Sequence, residues 1–369
     1  MRLKIPPKIL FAGAVLLTGF AFFLVVVEAG AKLLSNCGLS GIAYDEKLGW
    51  TLKRAGSWNI DSPSSEKSDG NVTTNSKGFR DIEHSIAKRP GSKRIMFVGD
   101  SYTAGLHFPN ENIFTRRFAQ ALDQWTGLKD HFEIMNVAVP AWATDQQYLY
   151  LRDEGMKYNP DYVFLMIAPN DIRESYGKHF FALGNERLTE YGPPPIPWKR
   201  RFYWFLANHS CAFQYLQSKS KSNYGSFANI FQSFPVSFPV GSEISSDKHL
   251  FLQDSPREIR AAKELFKALL VKINRLCDQH RCKLLLSIVP TKIEYDGSLK
   301  AQRYQPGAIA EYVETLAVEN NIPFLNLVRA LDLQEKEPMR IFITSEYHLS
   351  DYGHAFVANN LVPFFISNQ

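Results

Sequence analysis

From residue 94 onward, short apolar runs alternate with longer amphipathic stretches. The apolar runs predict parallel strands that are covered on both faces, and the amphipathic stretches predict the helices that connect them. The predicted strands are 94–98, 132–137, 161–167, 283–289 and 323–327. The predicted helices are 112–125, 146–157, 257–280, 308–320 and 352–361. This alternation is typical of an α/β fold with a parallel sheet between helical layers.

The N-terminus carries an uncharged apolar segment from Ile9 to Val27. As a helix it would measure about 28 Å, which is enough for one bilayer crossing. Basic residues precede it, the last being Lys8, and positive flanks stay on the cytoplasmic side. The small residues Ala29-Gly30-Ala31 resemble a cleavage site, so a cleaved signal peptide is the alternative. The apolar run, however, exceeds the usual signal-peptide core of about 7–15 residues. We therefore expect a retained single-pass anchor in residues 1–30, with the remaining chain outside the cytoplasm, which is the periplasm if the cell is Gram-negative.

The remaining chain divides by composition. Residues 31–90 are rich in Ser, Gly, Asn, Asp and Lys without a sustained period, which predicts a membrane-proximal arm. Residues 91–369 are expected to form one α/β domain, interrupted at about 174–254 by an insertion rich in proline and aromatic residues. Long insertions in compact domains are often lids or binding surfaces, and a packed structural subdomain is the alternative.

The composition and charge of the chain limit the kinds of function that it can have. Hydrophobic residues at 45% and charged residues at 21% describe an ordinary globular protein. The net charge of +5 includes the basic residues before the apolar segment, so it gives no reason to expect nucleic acid. The four cysteines are scattered and no His-rich spacing accompanies them, so we expect no metal and no other cofactor. Cys277 and Cys282 could pair in an oxidising compartment or remain two buried thiols.

Three motifs at the ends of predicted strands supply the residue types that acyl transfer needs. Ser101 lies in Gly99-Asp100-Ser101, directly after the first strand, and glycines flank its turn. Asn170 follows the third strand, and its amide could donate to a developing oxyanion. His348 precedes the last helix and could take the serine proton, because imidazole titrates near neutrality. Since the carboxyl ends of parallel strands meet at one edge of a sheet, we expect these residues to converge.

In this order the motifs resemble the SGNH/GDSL hydrolase superfamily, and the membrane-anchored bacterial type in particular. Segments of the arm, 47–50 and 75–81, are similar to those found ahead of the domain in anchored members. The resemblance implies a flavodoxin-like three-layer α/β/α sandwich. It also implies Ser101 as the nucleophile, and oxyanion donors at the Ser101 N–H, the Ala138 N–H and the Asn170 amide.

The sequence departs from the family pattern at two places. Alanines, Ala138 and Ala141, stand where the family's second block usually has glycine. An alanine N–H can still donate, provided that the loop does not require a positive φ there. The aspartate usual two or three residues before the histidine is replaced by Ser345 and Glu346. Either Glu346 is the acid that orients His348, or the site is a Ser101–His348 dyad.

These motifs together predict a serine-dependent ester hydrolase or acyltransferase. The resemblance and the expected location favour O-acyl groups on extracytoplasmic carbohydrate as the substrate. A non-catalytic carbohydrate-binding or polysaccharide-assembly protein on the same fold is one alternative, and a lipid esterase is another.

Overall fold

The computed structural model describes residues 7–34, 41–59, 71–128, 131–185, 187–195, 198–213, 215 and 246–369. The chain divides into two compact units. The smaller comprises residues 1–41 and 196–233, and the larger comprises residues 42–195 and 234–369. The part of the predicted insertion between residues 216 and 245 lies outside the described residues.

The helices and the strands are numbered separately, each in chain order. The helices are α1 (Pro7–Leu34), α2 (Ser101–Ala104), α3 (Phe114–Thr126), α4 (Thr144–Asp153), α5 (Pro169–Lys178), α6 (Trp198–His209), α7 (Arg257–Gln279), α8 (Lys292–Tyr295), α9 (Ala308–Glu319), α10 (Leu327–Gln334) and α11 (Asp351–Asn368). The strands are β1 (Ile42–Asp45), β2 (Gly49–Leu52), β3 (Ser57–Asn59), β4 (Asn71–Thr73), β5 (Lys93–Val98), β6 (Phe132–Asn136), β7 (Tyr162–Ile167), β8 (Phe181–Gly184), β9 (Arg187–Glu190), β10 (Lys283–Ile288) and β11 (Phe324–Asn326).

The larger unit is built on a parallel five-stranded sheet in the order β11-β10-β7-β5-β6. Counted along the chain, these strands have the order 2-1-3-4-5, which is the doubly wound order of flavodoxin-like folds. Every residue of β7 is buried, as expected for a central strand covered on both faces. The predicted α/β fold is therefore confirmed. The ends of the predicted strands and helices agree with the observed ones to within four residues, except that the last helix continues seven residues beyond its predicted end, to Asn368.

Helices pack on both faces of this sheet. On one face, α3 and α11 surround an aromatic cluster, in which Phe97 stacks on Phe164 at 4.8 Å and Phe118 meets Phe365 at 5.7 Å. On the other face, α4 and α7 pack with the β8–β9 hairpin around Leu149 and neighbouring leucines. The carboxyl ends of β5 and β7 adjoin where the strand order reverses, and this is where such folds bind ligands.

Much of the predicted arm packs into the larger unit. It forms two antiparallel pairs, β1–β2 and β3–β4. Trp50 is fully buried, and its indole N–H donates to the Pro140 carbonyl at 3.0 Å. The buried Arg80 donates to the carbonyls of Gly105 and Phe108. The arm therefore supports the loops that follow β5 and β6.

In the smaller unit, α1 contains a stretch, Phe11–Leu33, that is long and apolar enough to cross a membrane. A membrane anchor and a signal sequence both have this character. Near its end, the Glu28 carboxylate accepts hydrogen bonds from the Cys211 N–H at 2.6 Å and the Ser210 hydroxyl at 2.8 Å. In the larger unit, Cys277 and Cys282 are buried free thiols, which was one of the two alternatives for this pair.

Candidate active site

The turn after β5 presents Ser101 as the first residue of the short helix α2. A side chain at Gly99 would lie 2.3 Å from the Thr103 hydroxyl oxygen, so only glycine allows this close approach. Gly105 ends the helix in the left-handed region, with a φ of 58°. Because the first N–H groups of a helix have no partner within it, the Ser101 N–H can donate to a ligand.

The loop before α11 brings His348 to this serine. The Nε2 atom of His348 lies 3.0 Å from the Ser101 hydroxyl oxygen, and its Nδ1 atom lies 3.4 Å from Oε2 of Glu346. The second distance is long for a hydrogen bond. Both side chains of the His348–Glu346 pair are partly shielded from solvent, with 23% and 18% of their surface exposed. Ser101, His348 and Glu346 therefore have the arrangement of a nucleophile, a base and an orienting acid.

Glu346 has the charge that this arrangement needs. Burial raises its pKa, but the hydrogen bond with His348 and the positive charge of Lys292 contribute in the opposite direction, and the pKa lies below its ordinary value. An anionic carboxylate beside Nδ1 favours the tautomer that carries its proton on Nδ1 and leaves Nε2 free to accept from serine. The extra methylene of glutamate thus does not prevent contact with His348.

A second histidine, His107, borders the same carboxylate. Its Nε2 atom lies 3.2 Å from Oε2 of Glu346, and its ring centroid lies 4.7 Å from that of His348. Burial, with the charge of His348, lowers the pKa of His107 to about 3, so its ring is neutral at pH 7. The ligand atoms of His107, Glu346 and His348 lie within 4.8 Å of one another and could hold a metal ion. The absence of a metal stays a prediction.

The base loop, residues 343–350, is tied to its surroundings by hydrogen bonds. Lys292, at the start of α8, donates to the carbonyls of Ile343, Thr344 and Glu346 at 2.9, 2.7 and 3.0 Å. The Tyr102 hydroxyl donates to the Tyr347 carbonyl at 3.0 Å. The loop is thus connected both to the end of β10 and to the helix that carries Ser101.

Two of the three expected oxyanion donors, Ala138 in the loop after β6 and Asn170 in the first turn of α5, already have partners. The Ala138 N–H donates to the Asn136 side chain at 3.3 Å. The Asn170 amide donates to Asp100 at 3.2 Å and to Glu174 at 3.5 Å. Ala138 has no positive φ, whereas Ala141 has a φ of 59° and so occupies a conformation that favours glycine.

Buried carboxyl groups stand beside Asn170. Asp100 is almost completely buried, and burial raises its pKa to about 6 despite hydrogen bonds from the Tyr102 N–H and the Asn170 amide. Burial, and the proximity of Asp100, raise the pKa of Asp171 well above its ordinary value. Burial therefore disfavours the charged forms of Asp100 and Asp171.

A cavity of about 360 Å³ opens beside these groups and is lined by Tyr102, Asn170 and Tyr347. Most of its other walls are polar, and the residues that complete it are Pro169, Arg173, Ser246, Asp247, Lys248, Thr291, Ile293 and Ser298. Arg173 and Asp247 form an ion pair at 2.6 Å across this wall. The cavity is large enough for a small ligand.

Residues not identified from the sequence surround the site. His107 lies in the same loop region as the nucleophile motif, and Lys292 follows the end of β10. The rule that sites form at the carboxyl ends of parallel strands points to Lys292. Neither residue belongs to a short motif, so only the folded chain reveals its contact with the base loop.

Comparison with known proteins gives structural similarity and no sequence relative. No family model matches the sequence, and no curated protein matches it. The structure is similar to that of an acetyl xylan esterase, at 19% identity and a TM-score of 0.41, covering 73% of this chain and 97% of the other. It is similar to a mutant acetyl-xylooligosaccharide esterase from Geobacillus, at 14% identity and a TM-score of 0.42, covering 74% and 94%. It is also similar to a lipase/acylhydrolase from Enterococcus faecalis, at 12% identity and a TM-score of 0.40, covering 73% and 94%.

Proposed function

We propose that this protein is a serine-dependent ester hydrolase or acyltransferase of the SGNH/GDSL type, with Ser101 as its nucleophile. The observation that carries the proposal is the 3.0 Å contact between the Ser101 hydroxyl and Nε2 of His348, with Glu346 on the other side of the ring. A lone serine is a weak nucleophile, and an adjacent base that is itself oriented by an acid activates it.

The reaction proceeds in two steps. His348 takes the hydroxyl proton as Ser101 attacks the ester carbonyl, and the same proton passes to the departing alcohol as the acyl-enzyme forms. The N–H groups of Ser101 and Ala138 and the Asn170 amide stabilise the oxyanion. Water activated by His348 then releases the acid, whereas a sugar hydroxyl in its place would make the enzyme a transferase.

The favoured substrate is a carbohydrate that carries short O-acyl groups. Eight of the eleven residues that line the cavity beside Asn170 have hydroxyl or charged side chains, and its aliphatic walls are Pro169 and Ile293. Such a lining suits a polyhydroxylated alcohol better than a long acyl chain. Turnover of acetylated oligosaccharide and of p-nitrophenyl palmitate separates the two: we expect at least about a tenfold preference for the former. The reverse preference would favour a lipid esterase.

We further propose that the segment from Ile9 to Val27 is retained and anchors the catalytic unit outside the cytoplasm. Its length and the preceding basic residues support this topology. N-terminal sequencing of the mature protein is expected to find the segment. A mature chain that begins near Lys32 would instead establish cleavage.

The proposed nucleophile is tested with Ser101→Ala. We expect this variant to fold, to lose turnover of p-nitrophenyl acetate and to lose labelling by a fluorophosphonate probe. Ser345→Ala, in the base loop and exposed, is the matched control and should keep both. Activity of Ser101→Ala above about a tenth of wild type would contradict the mechanism, because loss of a true nucleophile leaves far less. Absence of labelling in the wild type would favour the non-catalytic carbohydrate-binding alternative.

A further inference from the structure

Lys292 makes an unusual set of contacts with the base loop. An ammonium group has three donors and no acceptor. Here the acceptors are three backbone carbonyls of one short segment, at Ile343, Thr344 and Glu346, all within 3.0 Å. Lys292 itself is the first residue of α8, the short helix after β10. The Thr291 hydroxyl, just before it, donates to the Glu294 carboxylate. The contacts therefore join the loop that carries the proposed acid to the helix that follows β10.

The base loop has little other support between its ends. Thr344, Ser345 and Tyr347 are exposed, with 64% of the Tyr347 surface open to solvent. Packing of apolar side chains therefore does not hold the middle of the loop in place. Two hydrogen bonds form within the loop. The Glu346 N–H donates to the Ile343 carbonyl at 3.2 Å, and the Ile343 N–H donates to the His348 carbonyl at 2.9 Å.

Because these internal bonds link Ile343 to both Glu346 and His348, fixing the carbonyls of residues 343 and 346 also fixes the two proposed catalytic residues. The only other hydrogen bond described from a side chain to the carbonyls of residues 343–348 comes from Tyr102, and it reaches the Tyr347 carbonyl. A shift of about 1 Å in catalytic groups can cost about 100-fold in rate. Loss of the Lys292 contacts would allow such a shift.

We propose that Lys292 is a positioning residue, whose ammonium clamps the base loop so that His348 faces Ser101 and Glu346 faces His348. The proposal rests on the proposed function. It assigns Lys292 no contact with the substrate. It predicts an effect on kcat and not on KM, because the loop holds the groups that move protons rather than the substrate.

The test replaces Lys292 with methionine, which keeps the apolar stem and removes the three donors. We expect kcat for p-nitrophenyl acetate to fall about 10- to 100-fold, with KM within about twofold of wild type. Lys292→Arg keeps the charge and the donors and should recover most of the lost kcat. The matched control is Lys283→Met, which removes a lysine that donates to the Asn368 carbonyl at the opposite end of β10, and it should leave kcat unchanged.

A double-mutant cycle with Glu346→Gln adds a readout that a merely structural role would not change. Lys292 and Glu346 both act by orienting His348, so the combined loss should be smaller than the product of the two single losses. Should Lys292→Met not fold, Lys292→Gln replaces it in the same measurements.

A folded Lys292→Met variant, or the Lys292→Gln variant that replaces it, with wild-type kcat or with a change confined to KM would overturn the inference. So would equal losses in Lys292→Met and Lys283→Met, or losses that multiply in the cycle. Ser101→Ala is measured in parallel: if it stays active, the proposed function itself fails. If Ser101→Ala is inactive while Lys292→Met has wild-type kcat, only the positioning role fails.

Discussion

The two sides of Ser101 differ in how their polar groups are held. On the base side, Lys292 and Tyr102 bind backbone carbonyls of the loop, and the side chain of His348 already reaches the serine at 3.0 Å. On the oxyanion side, the Ala138 N–H and the Asn170 amide donate to groups within the protein. In the proposed mechanism, the base side is arranged for proton transfer before substrate arrives, whereas the Ala138 N–H and the Asn170 amide must exchange hydrogen bonds.

This difference has a physical cause. A proton acceptor needs only a fixed distance to the serine, and backbone contacts can fix it without substrate. Donors that point into an unfilled site are costly unless a water or a neighbouring group accepts from them. Asp100 and Asn136 can serve as such acceptors until a developing oxyanion, with its full charge, competes for the same N–H groups.

The largest expected effect in this comparison is on the base side. Glu346→Gln preserves shape and removes the charge, and we expect kcat to fall by about two to four orders of magnitude, as when a triad aspartate is neutralised. Steady-state kinetics with p-nitrophenyl acetate measures it. A loss under about threefold corresponds to less than about 0.7 kcal/mol, too little for a triad member. The site would then be a Ser101–His348 dyad.

On the oxyanion side, Asn170→Ala removes one side-chain donor. We expect kcat to fall by about two orders of magnitude, within the range seen on removing an oxyanion donor. Asn360→Ala, on the outer surface of α11, is the control. If Asn170→Ala retains wild-type kcat, its amide serves only to bind Asp100 and Glu174, and the two sides of the site are not equally catalytic.

A smaller effect is expected at His107, which borders Glu346 without touching Ser101. His107→Gln can place an amide N–H where Nε2 stood, whereas the shorter His107→Asn cannot. We expect the Gln variant to stay within about threefold of wild-type kcat and the Asn variant to lose about tenfold. Equal kcat values for the two variants would show that the 3.2 Å contact with Glu346 is not used.

The last expected effect is on stability, and its sign differs between the two sides. Burial raises the pKa of Asp100 to about 6, so the folded state binds a proton more readily than the unfolded state, and this contribution to stability is lost as pH rises through 6. Burial lowers the pKa of His107 to about 3, so its contribution is present above about pH 6.5 and is lost as pH falls below that value.

Urea unfolding in detergent at pH 5 and pH 8 measures both contributions. Relative to wild type, Asp100→Asn should be more stable at pH 8 than at pH 5 by about 1 kcal/mol. His107→Gln should show the opposite trend, by about 2 kcal/mol. The same sign in both variants would contradict this account of the two sides.

The sequence carried enough information to predict the sheet and the residues at its edge. The apolar runs of β5, β7 and β10 are long enough to indicate buried parallel strands. The motifs with Ser101 and Asn170 come directly after β5 and β7, and the motif with His348 comes directly before α11. Helix α5 was not predicted, although Pro169 at its first position and Asp171, whose carboxyl group accepts from the Ala168 N–H, are start signals. The insertion concealed it, since the predicted interruption began at residue 174.

Long-range contacts could not be predicted in the same way. The hydrogen bond from the Trp50 indole N–H to the Pro140 carbonyl joins residues that lie far apart in the sequence and share no motif. The sequence therefore did not indicate that part of the predicted arm packs against the loop after β6. The contacts of Lys292 and His107 with Glu346 also depend on where two loops meet after folding. Glu346 was predicted only as one of two possibilities, because its distance to His348 depends on that meeting.

The most direct test of the central claim is to trap the acyl-enzyme. Wild-type protein is mixed with excess p-nitrophenyl acetate, quenched in acid within the first turnovers and digested, and the peptide that contains Ser101 is analysed by mass spectrometry. We predict one acetyl group on Ser101, a matching burst of p-nitrophenol, and neither in Ser101→Ala. Turnover with no acetyl group on Ser101, or acetylation of another residue that supports the same rate, would contradict the assignment of Ser101 as the nucleophile.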